Sequence, residues 1–291
     1  MKNLSILKFY RTRDWIKNLG ITFIGILASE NVNINLHKGI IALLLSSFLL
    51  AYAFSLNDYF DWKIGKEKNY MSRLKIKKKK KIILILFPLF LSIFFLLTFF
   101  IDKLMILLAF FLFFFLYTLY SSPPRLKKTW KYSLFANAFC LGIALFWIGY
   151  FSQVNHLNKA FFIFSFFHFS YILTCEIIHQ ISHMRKDKIG RIESFPIAFG
   201  IKNGVQLAQS VQYAVIGFSL TWMLLQQKIF LISLSMMFFS MFRILKIKKI
   251  NNISVASRLR EKMYGMHEGL FYSFLLFINY FLKFSITLYL F

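Results

Sequence analysis

The sequence predicts an all-α, multi-pass membrane protein with about nine transmembrane helices around a central cavity. Three observations lead there. The 291-residue chain is 58% hydrophobic and 20% aromatic, with 39 Phe, 16% charged residues and a mean hydropathy of +0.60. Apolar runs of the ~17–25 residues that a bilayer-crossing helix needs recur along it. The formal net charge of +25, from 36 Lys and Arg against 11 Asp and Glu, is gathered mainly between those runs. Such a composition excludes a soluble domain, and it excludes a disordered basic chain, which would be poor in aromatics. Cys140 and Cys175 both lie in apolar stretches, so small core residues are expected rather than a disulfide framework. The first 20 residues hold Lys2, Lys8, Arg11, Arg13 and Lys17 without a short apolar core and cleavage site, so no cleavable signal peptide is expected. Residues 1–291 read as a single integral-membrane domain.

The expected spans are 18–33, 38–60, 82–101, 104–121, 132–153, 159–183, 204–224, 228–245 and 268–290. Asn18, Glu30 and Asn31 crowd the ends of the first. The second runs into the polar string Asn57-Asp58-Tyr59-Phe60-Asp61. A basic stretch, 63–81, precedes the third, and only Asp102 and Lys103 separate the third from the fourth, which makes a tight helical hairpin. Basic residues of 125–131 precede the fifth. The sixth runs into a second polar string, and the basic stretch 243–262 stands before the ninth.

Charge orients this arrangement. With the N-terminus and every second loop on one side, 31 of the 36 basic residues fall there, and Lys38, Lys103, Lys159, Lys228 and Lys283 fall on the other. Lys and Arg stay cytoplasmic, so the expected topology is N-in and C-out, in the plasma (cytoplasmic) membrane with the active site facing the cytoplasm. The run Lys77–Lys81 at a membrane boundary anchors topology and attracts anionic lipid. The bilayer is therefore the expected partner, and nucleic acid is not.

With so few acids in a membrane protein, each one near the bilayer needs a reason, because intramembrane ionisable groups are costly. Asn57, Asp58 and Asp61 are spaced to share a helical face. Glu176, His179, Gln180, His183 and Asp187 trace another at the end of the sixth span. Two such faces at one membrane depth imply a shared cytoplasmic cavity. Oxygen donors on two helices with Lys and Arg nearby suit Mg²⁺ completed by the oxygens of a diphosphate, whose outer oxygens the basic residues bind.

These residues resemble motifs of the UbiA superfamily of intramembrane prenyltransferases. Asn57-Asp58-x-x-Asp61 is similar to the family's first motif, NDxxDxxxD, at the end of the second helix. Glu176 to Pro196, with Asp187, Ser194 and Pro196, resembles the second. Arg13-Asp14-Trp15-Ile16-Lys17-Asn18 is similar to the amphipathic start, and Tyr120-Ser121-Ser122-Pro123-Pro124-Arg125-Leu126-Lys127 to the loop after the fourth helix. The chain departs from the pattern where the last acid of the first motif falls on Gly65 and the first acid of the second on His183. Arg73-Leu74 lacks the usual following Pro, and Glu67 or Glu176 are the acids available as substitutes.

The resemblance implies Mg²⁺-dependent transfer of a polyprenyl group from an isoprenyl diphosphate to an aromatic or other lipophilic acceptor. Asp58, Asp61 and Asp187 would be the metal-binding and catalytic carboxylates. Arg73, Arg125 and Lys127 would hold the diphosphate. Asn57, Tyr120, Glu176, His179, Gln180 and His183 would complete the substrate site, with Tyr117 a further pocket residue. Three other functions fit the same residues: phosphoribosyl transfer to a polyprenyl phosphate, a transporter-like role, and an inactive relative. Clustering of the acids at one membrane face counts against a transporter, whose sites lie near the midplane.

Overall fold

Asparagines start several of the helices that the apolar runs become. The side chain of Asn35 accepts from Lys38 N (3.0 Å), that of Asn158 from Phe161 N (2.8 Å) and that of Asn252 from Val255 N (3.0 Å). Each thereby satisfies an N–H group that a helix start leaves without an intrahelical acceptor. The structure, a computed structural model, describes residues 9–29, 34–63, 78–225 and 230–263. The helices, in chain order, are α1 (Leu19–Ala28), α2 (Leu36–Lys63), α3 (Lys78–Phe99), α4 (Leu104–Ser121), α5 (Trp130–Gln153), α6 (Lys159–Ile189), α7 (Phe195–Leu225), α8 (Phe230–Ile247) and α9 (Ile253–Met263). The described residues contain no β-strand, so the all-α membrane architecture stands.

Five of these, α2 to α6, are long and apolar enough to cross a membrane. The first expected span appears as the shorter apolar helix Ile16–Ala28. α7 contains the expected 204–224 but carries Gln206, Gln209 and Gln212, which lower its hydropathy. α9 forms across the end of the basic stretch 243–262, where the sequence predicts only a loop. The span expected at 268–290 lies outside the described residues, as do Gly65, Glu67, Arg73 and Leu74.

α5 sits at the centre, and close backbone approach explains how. A Cβ on Gly149 would fall 1.9 Å from Thr22 O of α1, and one on Gly142 would fall 2.7 Å from His168 O of α6. Small residues at such crossings let membrane helices pack by dispersion where no hydrophobic driving force separates them from lipid. Between Asn137 and Leu145 the helix widens into π-type turns, Ala138–Ala144, a local irregularity that recurs beside functional sites. Around this core α2, α4, α5 and α6 bury Leu45, Leu49, Phe110, Phe113, Phe146 and Phe164. α3 instead presents Phe87, Phe90, Phe94 and Leu97 outward, as a lipid-facing helix would.

Apart from a buried network of Thr174, Gln212 and Arg243, many polar residues gather at two ends of the bundle. At one, Lys103 Nζ donates to Asn155 Oδ1 (2.5 Å) and Asn35 N to Gln153 Oε1 (2.8 Å). At the other, the N-terminal segment, the α4–α5 loop, the α6–α7 loop and α9 come together. There Glu193 N donates to Lys128 O (2.8 Å), which ties two of the basic loops into a single short bridge at Thr129 and Glu193.

Candidate active site

At that basic end a cavity of about 580 Å³ opens between α2, α4, α5, α6, α9 and the N-terminal segment. One wall is the last turns of α2. Lys127, buried in the loop after α4, donates from Nζ to Asn57 Oδ1 and to Asp61 Oδ1, both at 2.6 Å. Arg125 Nη2 donates to the same Asp61 oxygen at 2.6 Å. Asp58, three residues earlier and buried, turns toward the N-terminal segment and accepts from Arg11 Nη1 at 2.8 Å. Arg11 also donates from Nε to Asp14 (2.7 Å). Burial opposes the charge of Arg11, but the carboxylates of Asp58 and Asp14 outweigh it and raise its pKa above the ordinary arginine value.

The opposite wall is α6. Glu176, His179, Gln180, His183 and Asp187 all line the cavity, as one helical face should. Gln180 is a clamp. Its Nε2 donates to Ser133 Oγ of α5 (2.8 Å), and its Oε1 accepts from Phe195 N, which starts α7 (3.0 Å). His179 and His183 stack at 4.4 Å between centroids, and Arg260 of α9 donates to Nε2 of His183. The inner end is apolar, with Phe54, Tyr117, Tyr120 and Leu141. Asn137 Nδ2 holds the Tyr120 hydroxyl at 3.1 Å.

A sequence model of the UbiA prenyltransferase family matches residues 18–280. The chain belongs to the UbiA prenyltransferase family. Its fold matches a UbiA homolog from Archaeoglobus fulgidus bound to DMAPP and Mg²⁺, at 17% identity and a TM-score of 0.78, covering 97% of this chain and 99% of that one. It also matches a digeranylgeranylglyceryl phosphate synthase, at 20% identity and a TM-score of 0.69, covering 94% and 97%. A UbiA homolog from Aeropyrum pernix K1 matches at 14% identity and a TM-score of 0.65, covering 94% and 99%. No curated protein matches the chain significantly.

Within this UbiA-family cavity the structure brings together Asn57, Asp58, Asp61, Tyr120, Lys127, Glu176, His179, Gln180, His183 and Asp187. Arg125 does not line it. Its guanidinium is buried behind Asp61, with Nε and Nη1 lacking partners among the described residues, so it holds the carboxylate from the rear. Arg73 lies outside the described residues. Sequence reasoning missed Arg11, Lys17, Asn137, Lys186 and Arg260, which also line the cavity. Asn137 had a visible signal, being an amide inside an apolar run. Arg260 had none, since only folding of α9 brings it to α6.

The donor set bears on metal binding. Among the described residues no three His, Cys, Asp or Glu side chains converge closely enough to hold a metal by themselves. Asp58 and Asp61 supply oxygen donors on one wall, and Asp187 supplies another across the cavity. Sparse carboxylates with room beside them fit a hard cation that completes its octahedron with phosphate oxygens and water, and do not fit a preformed protein cage.

Proposed function

We propose that the protein transfers a polyprenyl group from an isoprenyl diphosphate to an aromatic or other lipophilic acceptor, using Mg²⁺ held by Asp58 and Asp61 with Asp187 opposite. The observation that carries this reading is the wall where Asp58, Asp61 and Asn57 are held by Arg11 and Lys127 beside an aromatic inner chamber. Family membership and the likeness of the fold to a homolog bound to DMAPP and Mg²⁺ support it.

Lys127 and Arg11 neutralise the acids that the metal would use. When substrate arrives, both cations exchange carboxylate oxygens for phosphate oxygens, and they bind the diphosphate through charge-assisted hydrogen bonds. Bound Mg²⁺ supplies Lewis-acid neutralisation of the departing diphosphate. Heterolysis of the allylic C–O bond leaves its electron pair on the diphosphate and the positive charge on the prenyl carbon. Tyr120 and Tyr117 line the inner end, where their ring faces can stabilise that cation. Asn137 fixes the Tyr120 ring by its hydroxyl. Phe54 and Leu141 keep water from the cation until the acceptor forms the new bond and gives the proton that this bond displaces to the departing diphosphate or to solvent.

We further read the chain as one domain of nine spans, N-in and C-out, with this cavity at the cytoplasmic face. Gathering of the basic segments around the cavity supports that orientation.

The decisive experiment supplies purified protein with radiolabelled prenyl diphosphates of several lengths, Mg²⁺ and a panel of acceptors. The expected result is a prenylated product that chelation by EDTA abolishes. Absence of turnover with every prenyl diphosphate, together with absence of diphosphate binding, overturns the reading.

A further inference from the structure

The α6 wall carries a cation that the reaction above leaves without a role. α9 packs through Val255, Ala256 and Leu259 on a cluster that includes Ile177, Ile178 and Ile181 of α6, which seats Arg260 above the two stacked histidines. Nη1 of Arg260 donates to Nε2 of His183, with longer contacts of 3.4 Å to His179 Nδ1 and to Ser182 Oγ. A guanidinium can only donate, so both ring nitrogens accept. Its Nε and Nη2 make no hydrogen bond to the described residues, and no described carboxylate lies within 4.0 Å of it. Arg260 nevertheless lines the cavity, on the same wall as Lys186 and Asp187.

His183 stands where the family's second motif has an acid. A carboxylate there would add a metal ligand beside Asp187, whereas this chain presents an imidazole and a guanidinium. A cation approaching Asp187 meets the positive charge of Arg260 on the same wall, and an imidazole where position 183 could have held a carboxylate. An anion meets an oriented fork of N–H donors, a geometry that matches phosphate oxygens in pairs.

We infer that Arg260, oriented by His179 and His183, binds a diphosphate oxyanion directly and takes the place of a second metal ion, so that one metal accompanies each bound diphosphate. The inference rests on the reading of the cavity as a diphosphate site. It makes α9 part of the substrate site and assigns the two histidines to positioning.

The test uses the full-length protein in detergent micelles, with inorganic diphosphate as ligand and Mn²⁺ as a countable substitute for Mg²⁺. Calorimetry gives the diphosphate affinity, and electron paramagnetic resonance counts bound Mn²⁺. The expected result is one Mn²⁺ per bound diphosphate. Arg260→Ala and Arg260→Gln should each weaken diphosphate binding about ten- to a hundredfold, the scale for losing charge-assisted hydrogen bonds. Arg260→Gln keeps a donor toward His183, so it tests the inference even if Arg260→Ala fails to fold. Two Mn²⁺ per diphosphate, or unchanged affinity in a folded variant, overturns the inference. Unchanged diphosphate affinity with loss of binding of a carboxylate- or phosphate-bearing acceptor also overturns it, since Arg260 would then read the acceptor. Wild-type protein that binds no diphosphate overturns the functional reading and this inference with it.

Discussion

The two walls of the cavity solve one electrostatic problem in opposite ways. On α2, carboxylates face the cavity and cations brought from other segments neutralise them: Arg11 on Asp58, and Lys127 with Arg125 on Asp61. On α6, neutral imidazoles occupy the corresponding face and a guanidinium from α9 rests on them. The first wall holds acids that a hard cation can use once Lys127 and Arg11 turn to phosphate. The second presents donors to the anion itself. On this reading a motif can lose an acid and still offer positive charge to a diphosphate, because charge can come from a side chain as well as from a metal.

The strongest way to break this contrast is to remove an acid from the first wall. Asp61→Asn should lower kcat by about a thousandfold, the several kcal/mol that a Lewis-acid ligand is worth. The amide keeps an oxygen for Lys127, so size-exclusion behaviour and helical content should match wild type while turnover of a labelled prenyl diphosphate collapses. Activity within tenfold of wild type would remove Asp61 from the site.

Lys127→Ala comes next. It removes a bond to Asn57 and one to Asp61 in the resting site and a phosphate contact in the working one. The expected loss is about a hundredfold in kcat/KM, mostly in KM for the diphosphate, on the scale of two charge-assisted bonds. Arg125 still pairs with Asp61, which limits the structural damage. An unchanged KM would show that Lys127 serves only to hold the acids. Asn137→Leu is gentler: it frees the Tyr120 hydroxyl and removes the hydrogen bond between Asn137 and Glu176 of the α6 wall, and should lower kcat/KM about tenfold, the scale of one or two hydrogen bonds. Adding Asn137→Leu to a Tyr120→Phe variant should cost less than Asn137→Leu costs alone; fully additive losses would deny that Asn137 acts through Tyr120.

How much of this was legible in the sequence follows from what each feature depends on. The α2 wall is local: Asn57, Asp58 and Asp61 share a face through helical spacing alone, and Lys127 stood in a recognisable loop. The α6 face was equally local, and all five of its residues line the cavity. What escaped were partners set by tertiary packing. Arg11 and Arg260 read only as basic residues of loops, because nothing near them in the chain says which helix they will meet. Arg125, expected at the diphosphate, was displaced by one layer: its backbone in the left-handed region (φ 59°) turns the loop so that the guanidinium lies behind Asp61.

The smallest effect on chemistry is expected from Gln180, although it sits on the same face as the histidines. Its amide joins three helices by bonding Ser133 of α5 and the first N–H of α7. Gln180→Leu keeps the volume and leaves Ser133 Oγ and Phe195 N without these partners, in a buried place where each orphaned group costs about 1–3 kcal/mol. The expected outcome is a detergent-solubilised protein with a clearly lower Tm whose kcat/KM below that Tm stays within about threefold of wild type. That split would place Gln180 among the residues that hold the α6 wall upright and set it apart from His179 and His183, whose loss acts through Arg260. A large fall in kcat/KM at unchanged Tm would instead put the amide itself against the substrate, and the α6 wall would then bind its ligand through more than the guanidinium.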